Sequence, residues 1–275
     1  MIAMPRSPLA VAALLLAACA PESPPAEESM AEETEAVPAA DGRIVSLLAE
    51  GQPVFGIFSG DHTPEQGAAM GANTETDFVF YSLESGPFDL PGMQSYVRAM
   101  QGVAGEDSRP MALRIPPIKD GPAEAEQRIV QALETGVEAI VYPHTWSSED
   151  VALAAAAMGD ELWPGKPGGR LVGMFIVEDR TGIEHVDEIV STPGASVVFA
   201  GPGDLRRAYE GDMEAVEAAI QTVLAACLEH GVPCGITAGV DDIAGRLEQG
   251  FRVIIVTEPE ALAVGLRASG RTQGS

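Results

Sequence analysis

Two neighbouring stretches decide the fold: Leu171-Val-Gly-Met-Phe-Ile-Val177-Glu178, and, beyond a helical segment, Ser196-Val-Val-Phe-Ala200-Gly-Pro-Gly-Asp204-Leu205. Near-continuous apolar runs separated by a helix are the pattern of a parallel βαβ unit, whose strands are covered on both faces. Each run leads into an acid, Glu178 directly and Asp204 a few residues on. Parallel α/β folds keep their chemistry just past the carboxyl ends of the strands. Two hard carboxylates on adjacent strands suit Mg²⁺ or Mn²⁺ better than zinc.

The same alternation extends in both directions. Apolar runs predict strands at 53–58, 78–83, 111–114, 139–142, 171–177, 196–200, 233–236 and 253–257. Helical patterns lie near 63–72, 91–103, 121–135, 147–158, 180–191, 211–229, 240–249 and 258–268. Helix starts carry capping chemistry. Thr63-Pro64-Glu65-Gln66 puts proline at the first helical position and glutamine where a capping box wants it. Ser147-Ser148-Glu149-Asp150 places acids in a first turn, and Gly136 and Gly231 stand where C-terminal caps belong. Eight βα units with apolar strands argue for a single (β/α)₈ TIM barrel rather than an open doubly wound sheet. No dinucleotide fingerprint or Walker loop is present to support nucleotide binding.

The N-terminus reads as an export signal. Arg6 is a positive flank, and Leu9 to Ala18 is apolar but too short for a stable span. The run ends in Leu16-Ala17-Ala18-Cys19, which looks like the lipobox of bacterial lipoproteins. That likeness implies a signal peptide over 1–18, cleavage before Cys19 and lipidation of its sulfur, hence an envelope protein anchored to a membrane, with the outer membrane weakly preferred because Ala20 follows the cysteine. Residues 19–41 are rich in Pro, Glu and Ala and lack aromatics, the composition of a disordered acidic linker. The barrel then occupies 42–270, roughly 230 residues and enough for one large domain, with a tail at 271–275.

The chain carries 41 acidic and 16 basic residues, a formal charge of −25. Nucleic-acid binding is disfavoured, because phosphate contact needs a basic face. Beyond Cys19, the cysteines are Cys227, in an alanine-rich helix, and Cys234, at the start of a strand; both are expected to be buried free thiols.

Reading the strand ends in order gives the rim of the barrel. The first strand leads to Asp61-His62, the second to Ser82-Leu83-Glu84-Ser85, the third ends at Arg114, the fourth leads to Pro143-His144, and the fifth and sixth give Glu178 and Asp204. A cation on Glu178 and Asp204 could chelate a 2-oxo acid through its carboxylate and keto oxygens. Arg114 could stabilise the enolate oxyanion formed when a carbon–carbon bond breaks. His185, within a helix, and His230, at a helix C-terminus, read as structural.

These residues resemble the HpcH/HpaI aldolase and citrate lyase family over most of 50–265. The resemblance rests on Ala132-Leu-Glu-Thr-Gly-Val-Glu-Ala-Ile-Val-Tyr-Pro143, Val177-Glu178, Pro193 to Leu205 with its Gly-Pro-x-Asp-Leu segment, and Gly250-Phe251. It implies a barrel fold, a divalent metal on Glu178 and Asp204, and Arg114 in the family's arginine role. It also implies a small 2-oxo acid substrate touching Arg114, Gly201 and Pro202, and assembly as a homo-oligomer. The chain departs from the pattern in three places, one of them the compact segment 159–170 between the fourth helix and the fifth strand. Where the aldolase branch has Asp-x-Glu-His after the second strand, this sequence has Ser82-Leu83-Glu84-Ser85, keeping Glu84 but not the histidine or aspartate. Where the family often has glutamine two residues before the metal glutamate, Ile176 stands. His62 and His144 are therefore candidates to replace the lost base, alongside Glu84 and Arg114 as catalytic residues. His62 has Asp61 beside it, whereas His144 lies nearer the expected metal. The leading expectation is a metal-dependent, aldolase-like carbon–carbon lyase acting on a small 2-oxo or hydroxy-2-oxo acid. The alternative is a degenerate lipoprotein that binds metal and 2-oxo acid without turnover.

Overall fold

The computed structural model describes residues 42–166 and 168–271. The expected signal peptide, Cys19 and the whole acidic linker lie outside the described residues. Within them run nine strands: β1 (Val54–Phe58), β2 (Phe78–Ser82), β3 (Met111–Arg114), β4 (Ala139–Tyr142), β5 (Leu162–Trp163), β6 (Leu171–Val177), β7 (Val197–Ala200), β8 (Cys234–Ala238) and β9 (Val253–Val256). Every pairing is parallel, in the order β4-β3-β2-β1-β9-β8-β7-β6-β5. A further pairing of β4 with β6, Ala139↔Val172 through Tyr142↔Phe175, closes the sheet. The two-residue β5 hangs outside the ring on β6, so the remaining strands form an eight-stranded (β/α)₈ TIM barrel.

Alternation along each strand sorts the side chains into two cores. Val54, Phe78, Phe80, Ala112, Ala139, Val141, Val172, Met174, Ile176, Val197, Phe199, Val253 and Ile255 fill the interior. Phe55, Val79, Tyr81, Leu113, Ile140, Tyr142, Phe175, Val198 and Ile254 face the helices. The apolar strands that set the fold reading are apolar because both of their faces are covered.

Local chemistry starts and stops the helices as their sequences require. Thr63 accepts the Gln66 N–H with Pro64 at the first helical position. Ser147 and Asp150 form a reciprocal capping box. Gly231 ends the helix Met213–His230 in the left-handed conformation. Three details depart from the sequence reading. The helix expected over 180–191 is broken at His185 into Arg180–Glu184 and Val186–Ser191. A short helix, Pro202–Ala208, begins directly after β7 and carries Asp204 in its first turn. A helix at Arg43–Ala49 precedes the barrel, and its Ile44 and Leu48 join the interior core. No helix of the described residues is long and apolar enough to cross a membrane. Cys227 and Cys234 are buried and free.

Two buried carboxylates tie that first helix down. Asp77 is fully buried and accepts from Arg43, from the Phe55 N–H (2.9 Å) and from both terminal nitrogens of Arg271 (2.7 and 2.9 Å). One carboxylate thus links the residue opening the first helix, β1 and a residue near the chain's end. Glu138, before β4, accepts the Ile44 N–H at 2.7 Å. Burial pushes the Glu138 carboxyl up to about 7, against the opposing pull of the first helix's N–H groups and Arg170.

Between its ordinary value of 4.5 and about 7, Glu138 binds more proton in the folded than in the unfolded state. Its contribution to stability therefore falls as pH rises through that window. Glu138→Gln should flatten this loss, gaining on the natural protein as pH rises from about 4.5 to 7. Urea unfolding midpoints across that range measure it; parallel pH dependences in the two proteins would show that Glu138 is ionised throughout.

Candidate active site

The carboxyl ends of β2, β3, β4, β6 and β7 converge on one acidic group. Main-chain bonds continue the β4–β6 ladder past the strands: Thr145 N–H donates to Ile176 O at 3.0 Å. His144 is forced between them into the left-handed region at φ 49°, a rare conformation for a residue with a side chain. This conformation aims the His144 main-chain N–H at Glu178 Oε1, 2.9 Å away. The imidazole sits among three acids, with Nδ1 3.6 Å from both Glu178 Oε1 and Asp179 Oδ2 and Nε2 3.8 Å from Glu84 Oε1.

Glu84, His144 and Glu178 each offer a ligand atom, and these atoms lie within 4.8 Å of one another. Arg114 borders the group. Its guanidinium pairs with Glu84 at 2.9 Å, donates to Ser82 Oγ at 2.9 Å, and lies over the Phe80 ring at 5.2 Å. Gly201 lies against Glu178 from the β7 side. A Cβ at Gly201 would fall 2.6 Å from Glu178 Cβ and 2.7 Å from Oε2. The Gly-Pro of the Gly201-Pro-Gly-Asp204 segment therefore has a steric reason, since only glycine leaves room for the buried carboxylate beside it.

The electrostatics follow from crowding and burial. Glu178 is only 3% exposed. Burial pushes its carboxyl up to about 7, while the His144 N–H and imidazole pull it down and Asp204 and Glu84 push it further up. Asp179, with Glu178, Asp204 and Glu84 around it, holds the His144 imidazole above its ordinary value despite burial. Burial also works against ionisation of Asp179. The nearby His144 imidazole and hydrogen bonds from Gly182 and Trp146 outweigh that cost and keep the carboxyl low.

The sequence-predicted site residues divide into three groups. Glu84, Arg114, His144, Glu178 and Gly201 are brought together. Asp204 lies close enough to influence both Glu178 and His144, but its carboxylate is paired with Arg207 and is not among the clustered donors. Pro202 is the first residue of the short helix that carries Asp204. His62 is not brought into the group. It stacks on Tyr81 at 3.8 Å, part of the aromatic layer between strands and helices, and burial lowers its affinity for a proton despite Asp61. Sequence reasoning missed Asp179 and Trp146. The available signal was Asp179 three residues before Gly182, the spacing of an N-cap, which it proves to be. His230 pairs with Asp187 at 2.8 Å, well away from this group in the fold.

A parallel barrel with carboxylates, a histidine and an arginine at its carboxyl-end mouth has the arrangement of a (β/α)₈ barrel enzyme. The model of the HpcH/HpaI aldolase/citrate lyase family matches residues 65–257, and the chain belongs to that family. The hydroxypyruvate/pyruvate aldolase of Paraburkholderia phytofirmans is 23% identical over 240 residues, covering 76% of this chain and 88% of that one. Among solved structures, an HpcH/HpaI family protein from Burkholderia cenocepacia superposes with a TM-score of 0.64 at 21% identity, covering 80% of this chain and 92% of its own. CitE from Mycobacterium tuberculosis, solved with magnesium, acetoacetate and coenzyme A, gives 0.58 at 18% identity, covering 80% and 82%.

Adding one carbon at position 201 should disturb Glu178 directly. On the reading that Glu84, His144 and Glu178 carry a cation, Gly201→Ala is expected to weaken Mn²⁺ binding at least tenfold. Gly203→Ala, whose Cβ would meet nothing within 4 Å, should leave binding unchanged. Titration calorimetry compares the two, and equal affinities would show that Glu178 is not held by this contact.

Proposed function

We propose that this protein is a divalent-metal-dependent carbon–carbon lyase that acts on a small 2-oxo acid or hydroxy-2-oxo acid. The observation that carries the reading is the convergence of Glu84, His144 and Glu178 beside Arg114 at the mouth of the barrel. The donor set fits a cation. Glu178 is a buried acid whose ionised form lacks full compensation, and a divalent ion supplies it. Two carboxylate oxygens and an imidazole suit Mn²⁺ or a neighbouring transition metal at least as well as Mg²⁺. Asp204 stands at the edge of the group and becomes a further ligand if it releases Arg207.

When bound, the cation supplies Lewis acidity for a 2-oxo acid's carboxylate and keto oxygens. The chain's own residues do the rest. Glu178, Glu84 and His144 hold the cation, and Arg114 offers its guanidinium to the oxyanion that develops as the carbon–carbon bond breaks. Ser82 and Glu84 fix the fork of Arg114 from two sides, so the oxyanion partner is set before substrate arrives. Gly201 and Pro202 lie beside Glu178, where a substrate would contact main chain.

The second reading is a metal and 2-oxo acid binder without turnover. The observation favouring it is Ser82 and Ser85 where the family resemblance places an aspartate and a histidine. His144, surrounded by three acids, serves better as a ligand or counter-ion than as a free base. In both readings the chain is exported, anchored through a lipid on Cys19 and assembled as a homo-oligomer, as the lipobox and the family resemblance imply.

Calorimetry of pyruvate or oxalate with and without Mn²⁺, beside an assay of pyruvate release from 4-hydroxy-2-oxo acids, separates these readings. Metal-dependent binding with turnover supports the lyase. Binding without turnover supports the second reading, and Ser85→His should then restore cleavage. Arg114→Ala is expected to reduce turnover about 100-fold or more, the cost of removing an oxyanion partner. No metal-dependent binding would overturn both. In the producing cell, Cys19→Ser should abolish the lipid mass increment on the mature N-terminus; an unchanged mature mass would remove the anchor.

A further inference from the structure

We propose that Asp179 and Trp146 are positioning residues for the cation: Asp179 holds the Nδ1–H of His144 so that Nε2 turns toward Glu84, and Trp146 holds Asp179. The inference rests on the reading above that Glu84, His144 and Glu178 carry a divalent ion.

A neutral imidazole binds a cation through one nitrogen, and its other nitrogen carries a proton that needs an acceptor. Nε2 is the nitrogen nearer Glu84, at 3.8 Å. Nδ1 has two acids at 3.6 Å, Glu178 and Asp179. Glu178 Oε1 already takes the His144 main-chain N–H, and Glu178 is itself a cation ligand in this reading. Asp179 is therefore the acceptor that sets the His144 tautomer.

Asp179 is built to do this without moving. Its Oδ1 accepts the Gly182 N–H at 2.9 Å, capping the helix Arg180–Glu184. Its Oδ2 accepts the indole N–H of Trp146. Rotating the carboxylate would lose both bonds at once. Trp146 is held in its turn. Its main-chain N–H donates to Asp150 Oδ2 at 2.8 Å, and the Lys119 ammonium lies 4.3 Å from its ring centroid. The indole is 37% exposed, so burial alone does not fix it. Its polar edge is spent on Asp179. Lys119, Trp146, Asp179, His144 and Glu178 thus form one connected line from the rim to the buried carboxylate.

The test is Co²⁺ binding to the full-length protein, followed by calorimetry and by the visible ligand-field absorption of the bound ion. Asp179→Asn keeps an oxygen to cap Gly182 but turns an acceptor into an amide that cannot take the Nδ1 proton. It should weaken Co²⁺ binding about 10- to 100-fold, the usual effect of removing a ligand's hydrogen-bond partner, and alter the Co²⁺ spectrum. Its thermal unfolding without metal should stay close to that of the natural protein. Trp146→Phe keeps a ring beneath Lys119 but drops the N–H, and should weaken binding severalfold. The double variant should lose little more than Asp179→Asn alone, because both act through one carboxylate. Affinity and spectrum unchanged in Asp179→Asn would overturn the proposal while leaving the cluster intact, provided that Glu178→Gln abolishes binding. If Asp179→Asn fails to fold, Trp146→Phe decides, and unchanged affinity there overturns it. A natural protein that binds neither Co²⁺ nor Mn²⁺ would overturn both the cluster reading and this inference.

Discussion

Everything at the mouth of this barrel depends on the parallel pairing of β4 with β6. That pairing skips β5 in sequence and closes the ring, in the register Ala139↔Val172 to Tyr142↔Phe175. It carries residues 143–146 alongside 176–179. The ladder's last bond, Thr145 N–H to Ile176 O, leaves His144 no extended conformation, and the residue adopts φ 49° instead. A histidine in that conformation presents its main-chain N–H and its ring to the same carboxylate. Slipping the register by one residue would turn Glu178 from the barrel mouth toward the helices.

The site is an electrostatic compromise. A chain with 41 acids and 16 bases gathers Glu84, Glu178 and Asp179 around one imidazole, with Asp204 nearby. Burial makes the Glu178 charge costly, and neighbouring acids raise the cost further. Arg114 compensates Glu84, and a protonated His144 partly compensates the others. This balance leaves the Glu178 charge without a full counter-charge among the fixed groups around it. Asp77, by contrast, is paired with both Arg43 and Arg271. The two buried acids Asp77 and Glu178 thus differ in role because one is saturated by arginines and the other is not.

The departures from the family pattern are consistent with one another. Ser82 stands where the pattern has aspartate, and it holds Arg114 through its hydroxyl. Ile176 stands where glutamine is common, and it packs within the apolar interior beside Gly201. On the β4 loop, His144 meets both Glu84 and Glu178.

The strands were legible in the sequence because parallel barrel strands are buried on both faces, and an apolar run needs no partner to be recognised. The capped helices were legible because capping is local, as Thr63, Ser147 and Gly231 show. Glu178, Arg114 and His144 could be placed on one rim, since each follows a strand. The helix Arg43–Ala49 was not legible. Its Ile44 N–H is taken by Glu138 and its Arg43 side chain by Asp77, residues far away in sequence, rather than by a cap of its own. Nor could the sequence choose between His62 and His144, because both follow strands and both have an acid near. Only the closed ring decides. It stacks His62 on Tyr81 outside the barrel and folds His144 inward among three carboxylates, with Asp179 and Trp146 behind it. By itself the sequence determined which strand ends carry charge. Which charges touch was decided by tertiary structure, because contact across a barrel mouth is set by register and closure, and neither is written in any local pattern.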